Sequence, residues 1–196
     1  METDLANSEG NSDPGLGLLI TRALDFAARA HVGQRRKGAA AEPYVNHLAE
    51  VAALLAEAAP DDGVLIAAGL LHDTVEDTEI TVAEIKTAFG ADIAGVVAEV
   101  TDDKSLPKEE RKRRQVSSAP GKSRWAKMLK LADKTSNLRA LAESPPESWD
   151  LARRRDYVDW AMRVVAGCRG VDGFLEGEFD AASAAARAAL DAGDSA

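Results

Sequence analysis

Residues 64–78 read Val64-Leu65-Ile66-Ala67-Ala68-Gly69-Leu70-Leu71-His72-Asp73-Thr74-Val75-Glu76-Asp77-Thr78, and this stretch decides how the rest of the chain is read. Val64 to Leu71 is apolar on every face of a 3.6-residue period, so a helix from Val64 to about Thr74 belongs at the centre of a fold. That helix delivers an imidazole and a carboxylate side by side. Neighbouring residues inside a helix point about 100° apart, so His72 and Asp73 reach one ion only if it lies near the helix end. Glu76 follows His72 by four residues, and Asp77 follows Asp73 by four. Four ionisable groups so close to an apolar run would be costly to bury without a cation. That cost is the physical reason to expect a metal.

The helical period continues outward in both directions. Leu16, Leu19, Ile20, Ala23, Phe26, Ala27 and Ala30 form one stripe, which predicts a helix from 16 to about 33. A second runs from near Asn46 to Ala58. Thr81 with Glu84 three residues on is a capping box opening a short helix that Gly90 ends. Ile93, Val96, Val97 and Val100 mark the next helix, and Lys108 to Ala119 is a charged one. Lys122 to Leu141 is stopped by Ser144-Pro145-Pro146, and Trp149–Gly167 and Val171–Leu190 follow. No run alternates with period two for long enough to make a sheet. The expectation is an all-α fold: one compact domain over 16–190, a bundle of about eight to ten helices, with a disordered leader over 1–15 and a frayed tail over 191–196.

Composition narrows the function classes. A chain of 196 residues fits one domain with a sizeable core. The net charge of -9 is opposite to that of a duplex-coating nucleic-acid binder, so no nucleic-acid partner is expected. A local basic cleft can still gather a small anion. The basic run Lys108 to Arg114 includes Glu109 and Glu110 and reads as a solvated helix face with a few pocket contacts. The single cysteine, Cys168, excludes an internal disulfide and follows an apolar run, so it reads as packing. No stretch approaches ~18 consecutive apolar residues, so no membrane span is expected. The start of the chain lacks the basic and apolar regions of a signal peptide, which makes the cytoplasm the expected compartment. Oligomeric state is not legible.

Two other segments carry pointed chemistry. One is Gln34-Arg35-Arg36-Lys37, then Pro43-Tyr44-Val45-Asn46-His47. The other is Lys130-Leu131-Ala132-Asp133-Lys134, with Asn137 one turn beyond Asp133 on the same helix face. Taken alone, Asp133 reads equally as part of a surface stripe with Lys130 and Lys134, and a lone His-Asp pair as an exposed or structural feature. Two imidazoles and two carboxylates together suit a borderline divalent ion in near-octahedral geometry. Without a cysteine ligand, a structural zinc cage is disfavoured.

Taken in order, these segments resemble the HD superfamily of metal-dependent phosphohydrolases. More narrowly they resemble the SpoT-type hydrolase domain and the free-standing small alarmone hydrolases. The matching stretches run from Phe26-Ala27-Ala28 and His31 through His72–Thr78, Thr101–Lys104, Glu110–Arg113 and Lys130–Lys134, to Trp149 and Tyr157–Trp160. The resemblance implies that His47, His72, Asp73 and Asp133 bind one divalent ion, Mn²⁺. It implies that Glu76 and Asp77 serve catalysis by positioning or activating water. Arg36 and Lys37 match residues that contact the nucleotide, Asn137 and Tyr157 match its pocket, and Lys108 and Arg153 match basic positions near the phosphates. His31 matches a supporting position. The implied reaction removes pyrophosphate from the 3′ position of guanosine tetra- or pentaphosphate (ppGpp or pppGpp), giving GDP or GTP.

Gly38-Ala39-Ala40-Ala41 and Thr135-Ser136 depart from the family pattern beside the pocket. No synthetase or regulatory segment follows, so a stand-alone hydrolase is expected. Two alternatives stay open at this point. One is the same fold acting on another phosphorylated nucleotide, such as the 2′-phosphate of NADPH. The other is a non-catalytic HD domain that binds an alarmone or a partner, which the intact ligands and Glu-Asp pair disfavour.

Overall fold

The computed structural model describes residues 14–194, and among these ten α-helices follow one another. They are α1 (Pro14–Ala30), α2 (Val45–Ala58), α3 (Gly63–Leu71), α4 (Thr74–Asp77) and α5 (Val82–Phe89), then α6 (Ala91–Val100), α7 (Lys108–Ser118), α8 (Arg124–Glu143), α9 (Leu151–Ala166) and α10 (Gly173–Asp194). A 3₁₀ turn, Ala119–Gly121, joins α7 to α8. The only strand-like pairing among the described residues is a single antiparallel bridge between Arg35 and Pro43. The all-α bundle expected from the periodicity is therefore what forms. Most of the expected leader, residues 1–13, and the last two residues of the expected tail lie outside the described residues. Pro14-Gly15 and residues 191–194 are helical.

Helix α3 is the central strut. Leu65 through Leu71 are all buried, and the helix packs against α1, α2 and α6. Gly69 lets α2 come close: a Cβ there would lie 2.6 Å from Leu55 Cδ1. Asp62 starts α3 by accepting the Leu65 N–H at 3.0 Å, and its other oxygen accepts the Trp125 indole N–H at 2.7 Å. One carboxylate thus satisfies an orphan helix donor and ties α3 to the start of α8. Helix α8 is the second strut, lying against α2, α6, α9 and α10. The predicted capping box forms at Thr81 and Glu84.

One boundary differs from the sequence reading in a way that matters. The helix expected to run to Thr74 stops at Leu71, and α4 starts afresh at Thr74. His72 (φ −59°, ψ −37°) and Asp73 (φ −91°, ψ −5°) form the bend between them. A continuous helix would splay these neighbours apart, and the bend lets both side chains face one place.

Candidate metal centre

The two struts meet at a group of four side chains, three of them buried and Asp73 half-buried. His47 comes from α2, His72 and Asp73 from the bend after α3, and Asp133 from the middle of α8. His47, His72 and Asp133 each offer a ligand atom within 4.8 Å of the others. His47 Nε2 lies 3.5 Å from Asp133 Oδ1 and 3.6 Å from Asp73 Oδ2. His72 Nε2 lies 3.1 Å from Asp73 Oδ2 and 3.9 Å from Asp133 Oδ1.

Hydrogen bonds behind the rings settle which nitrogen faces the group. His72 Nδ1 lies 2.8 Å from the Gly69 carbonyl oxygen, which only accepts, so Nδ1 carries the proton. His72 Nε2 is buried and makes no hydrogen bond of good geometry, with the Asp73 carboxylate 3.1 Å away. An orphaned ring nitrogen facing two carboxylates is what a divalent-ion ligand set requires, and neutral imidazoles and carboxylates suit such an ion. His47, His72 and Asp133, with the Asp73 carboxylate beside them, therefore fit a divalent metal of the kind that the resemblance implies.

The electrostatics show what these groups do without an ion. Burial disfavours an imidazolium at His72, but Asp73 and Asp133 outweigh it and push its pKa up to about 9. Burial would raise Asp73, yet His72 and His47 hold its carboxyl well below the usual carboxylate range. The same contest at Asp133, with Lys134 as the largest opposing influence, ends the same way. Lys134 Nζ lies 2.9 Å from Asp133 Oδ2, and Asn137 Nδ2 donates to Asp133 Oδ1 at 2.6 Å. The surface-stripe alternative for Asp133 fails, because Lys130, Asp133 and Lys134 are all buried. Lys130 instead donates to the Val100 carbonyl at 3.0 Å. His31 stays in support, its ring stacked 5.1 Å from that of Tyr44, whose hydroxyl donates to Asp73.

A cavity of about 460 Å³ opens over the group. Asp73, Asp133, Glu76 and Asp77 line it. Burial raises the Glu76 carboxyl above its ordinary value, against the pull of the Asp102 N–H, which donates to it at 3.2 Å. Arg111 stands 3.6 Å from the other Glu76 oxygen. Asp77 pairs with Lys104. Lys37, Lys108, Lys112 and Arg153 line the same cavity. Burial first, then Arg153 and Lys112, lowers the Lys108 ammonium from its usual value. Among the described residues these four cations have no carboxylate within ion-pairing distance, and cations crowded this closely form a receptor for an anion.

A second hollow, about 320 Å³, adjoins the first and shares Lys37, Tyr44, Asp77, Asn137, Trp149 and Tyr157 with it. Its walls include Leu141, Pro146 and the loop from Gln34 to Gly38. The Trp149 ring carries the Arg153 guanidinium over one face at 4.6 Å and meets Tyr157 at 5.5 Å. A flat aromatic ligand fits such a wall.

The expected residues thus fall around one cleft, with one qualification. Arg36 borders the second hollow, but its guanidinium donates to Ser136 Oγ, the Ser136 carbonyl and Asn137 Oδ1 at 3.2–3.3 Å. It braces the pocket wall. Sequence reading missed Lys112, Arg111 and the Glu50–Ser136 pair behind His47. The first two belong to a charged helix whose period does not mark which charges face inward, and the third joins residues 86 positions apart.

Residues 23–161 match the HD domain, and the chain belongs to that family. The chain is 50% identical over 163 residues to the guanosine-3′,5′-bis(diphosphate) 3′-pyrophosphohydrolase MESH1 of Xenopus tropicalis, covering 83% of this chain and 91% of that protein. It is 51% identical to the human MESH1 over 158 residues, 80% of this chain and 88% of that protein. Among solved structures, one described as a metazoan ortholog of SpoT that hydrolyzes ppGpp and plays a role in starvation responses superposes with a TM-score of 0.81. It is 44% identical, covering 84% of this chain and 93% of that one.

Proposed function

We propose that this protein is a metal-dependent hydrolase that removes the 3′-diphosphate of guanosine tetra- and pentaphosphate as pyrophosphate, leaving GDP or GTP. The observation that carries this reading is the orphaned His72 Nε2, aimed with His47 Nε2 at two carboxylates beneath a cation-rimmed cavity. The similarity to MESH1 supports the choice of nucleotide.

His47, His72, Asp73 and Asp133 would hold one divalent ion, which we take to be Mn²⁺. When bound, it supplies Lewis-acid polarisation of a phosphoryl oxygen and a lowered pKa for water. Glu76 takes the proton of the attacking water, a role its raised pKa suits. Water adds to the phosphorus nearest the sugar, the bond from that phosphorus to the 3′ oxygen breaks, and the 3′ oxygen leaves as a hydroxyl by taking up a proton equivalent to the one Glu76 removed from the water. Asp77, held by Lys104, orients the water. Lys37, Lys108 and Arg153, joined by Lys112, offset the charge of the diphosphate. Trp149 and Tyr157 border the hollow that takes the guanine, with Asn137 between it and the metal group. The ligand is a free nucleotide, and the setting is the cytoplasm.

Purified protein incubated with ppGpp and Mn²⁺ tests the reading. GDP and pyrophosphate in equal amounts are expected. Turnover of NADPH to NADH without turnover of ppGpp would replace this reading with the phosphatase alternative.

A further inference from the structure

His72 takes its orientation from a backbone carbonyl, which no substitution removes. His47 does not. Its Nδ1 lies 2.8 Å from the hydroxyl of Ser136, and that hydroxyl lies 2.6 Å from Glu50 Oε2. Arg36 Nη1 also donates to the same oxygen, at 3.2 Å. Ser136 has one hydroxyl hydrogen and two lone pairs. A carboxylate oxygen can only accept, and two oxygens 2.6 Å apart with no hydrogen between them would repel. The hydrogen therefore lies on the line to Glu50. The lone pairs are left to the Arg36 guanidinium and to His47, so His47 Nδ1 must carry a proton. In the neutral ring Nε2 is then the bare nitrogen, and it is the one that faces Asp73 and Asp133.

Glu50 is held for this task. Its other oxygen accepts from Arg139 at 3.0 Å, and Arg139 also pairs with Glu178 on α10. Arg36 stands 3.8 Å from the Oε2 that takes the hydroxyl. Ser136 itself is fully buried. A small side chain there leaves room for the carboxylate.

We propose that Glu50, acting through Ser136, is a positioning residue that holds His47 in the tautomer with Nδ1 protonated and keeps Nε2 open for the divalent ion. The proposal rests on the metal reading of the cluster and is indifferent to which nucleotide is cleaved. Without the Glu50 carboxylate, the Ser136 hydroxyl is free to donate to Nδ1, which places the proton of a neutral His47 on Nε2, in the ion's position.

Glu50→Ala, Glu50→Gln and Ser136→Ala, each titrated with Mn²⁺ at pH 8 and followed by electron paramagnetic resonance, test this, with thermal unfolding of the same samples. Glu50→Ala and Ser136→Ala are expected to weaken Mn²⁺ binding about tenfold or more, the usual consequence of losing a partner behind a ligand. Glu50→Gln should bind nearly as the parent does, because its amide oxygen still accepts the hydroxyl. Should Glu50→Ala not fold, Ser136→Ala and Glu50→Gln still decide the matter. Parent-like affinity in Ser136→Ala, or a loss in Glu50→Gln as large as that in Ser136→Ala, overturns the relay. A parent protein that binds no Mn²⁺ overturns the metal reading with it.

Discussion

The hydroxyl of Tyr44 donates to Asp73 Oδ2 across 2.5 Å, joining the loop before α2 to the bend after α3. The carboxylate is thereby aimed from outside the cluster, while its partners His47 and His72 lie within it. Tyr44→Phe keeps the ring that stacks on His31 and removes only the hydroxyl. The variant should bind Mn²⁺ about tenfold more weakly, at a stability cost of about 1 kcal/mol. Calorimetric titration and thermal unfolding measure the two effects, and unaltered affinity would show that Asp73 needs no such brace.

Asp73 and Glu76 stand three residues apart with different proposed tasks. Asp73→Ala should abolish stoichiometric metal uptake. Glu76→Ala should retain the metal and lose at least about 100-fold in kcat, the scale of a missing general base. Metal analysis of each variant beside its kcat separates them, and equal metal loss in both would refute the division of labour.

Metal loading should depend on pH in a definite direction. Without the ion, the carboxylates keep His72 protonated up to a pKa of about 9. A divalent ion must displace that proton, so apparent Mn²⁺ affinity should rise as pH increases from 6.5 toward 9 and level off above it. Calorimetry in buffers of different ionisation enthalpy would show proton release on binding at neutral pH. A flat affinity profile would mean that His72 is neutral before the metal arrives.

The Trp149 wall makes a separate prediction. Its ring carries the Arg153 guanidinium over one face and lines the hollow assigned to the base. Trp149→Ala should raise KM on the order of tenfold, the worth of one base–aromatic contact, and change kcat less. A fall in kcat at constant KM would place Trp149 in the chemistry and not in binding.

Much of this cleft was legible before any coordinates. The apolar run of α3 announced a central helix, and His72-Asp73 announced that any ion would lie near its end, because adjacent helical side chains point about 100° apart. The structure goes further by breaking the helix at Leu71, a bend that apolar periodicity cannot register because the residues in it are polar. Lys130 and Lys134 were ambiguous for a related reason. Lysines on an amphipathic helix look solvated, and only tertiary packing shows them buried against Val100 and Asp133. The link from Glu50 through Ser136 to His47 left no local trace, since it depends on α2 and α8 lying side by side.

Titrating Mn²⁺ into metal-stripped protein in the presence of ppGpp, with products followed by ³¹P NMR, tests the central claim most directly. The account predicts no turnover before the ion is added. The rate should then saturate at one ion per chain, with pyrophosphate and GDP formed in equal amounts. Full turnover in the stripped protein, or release of orthophosphate in place of pyrophosphate, would contradict it.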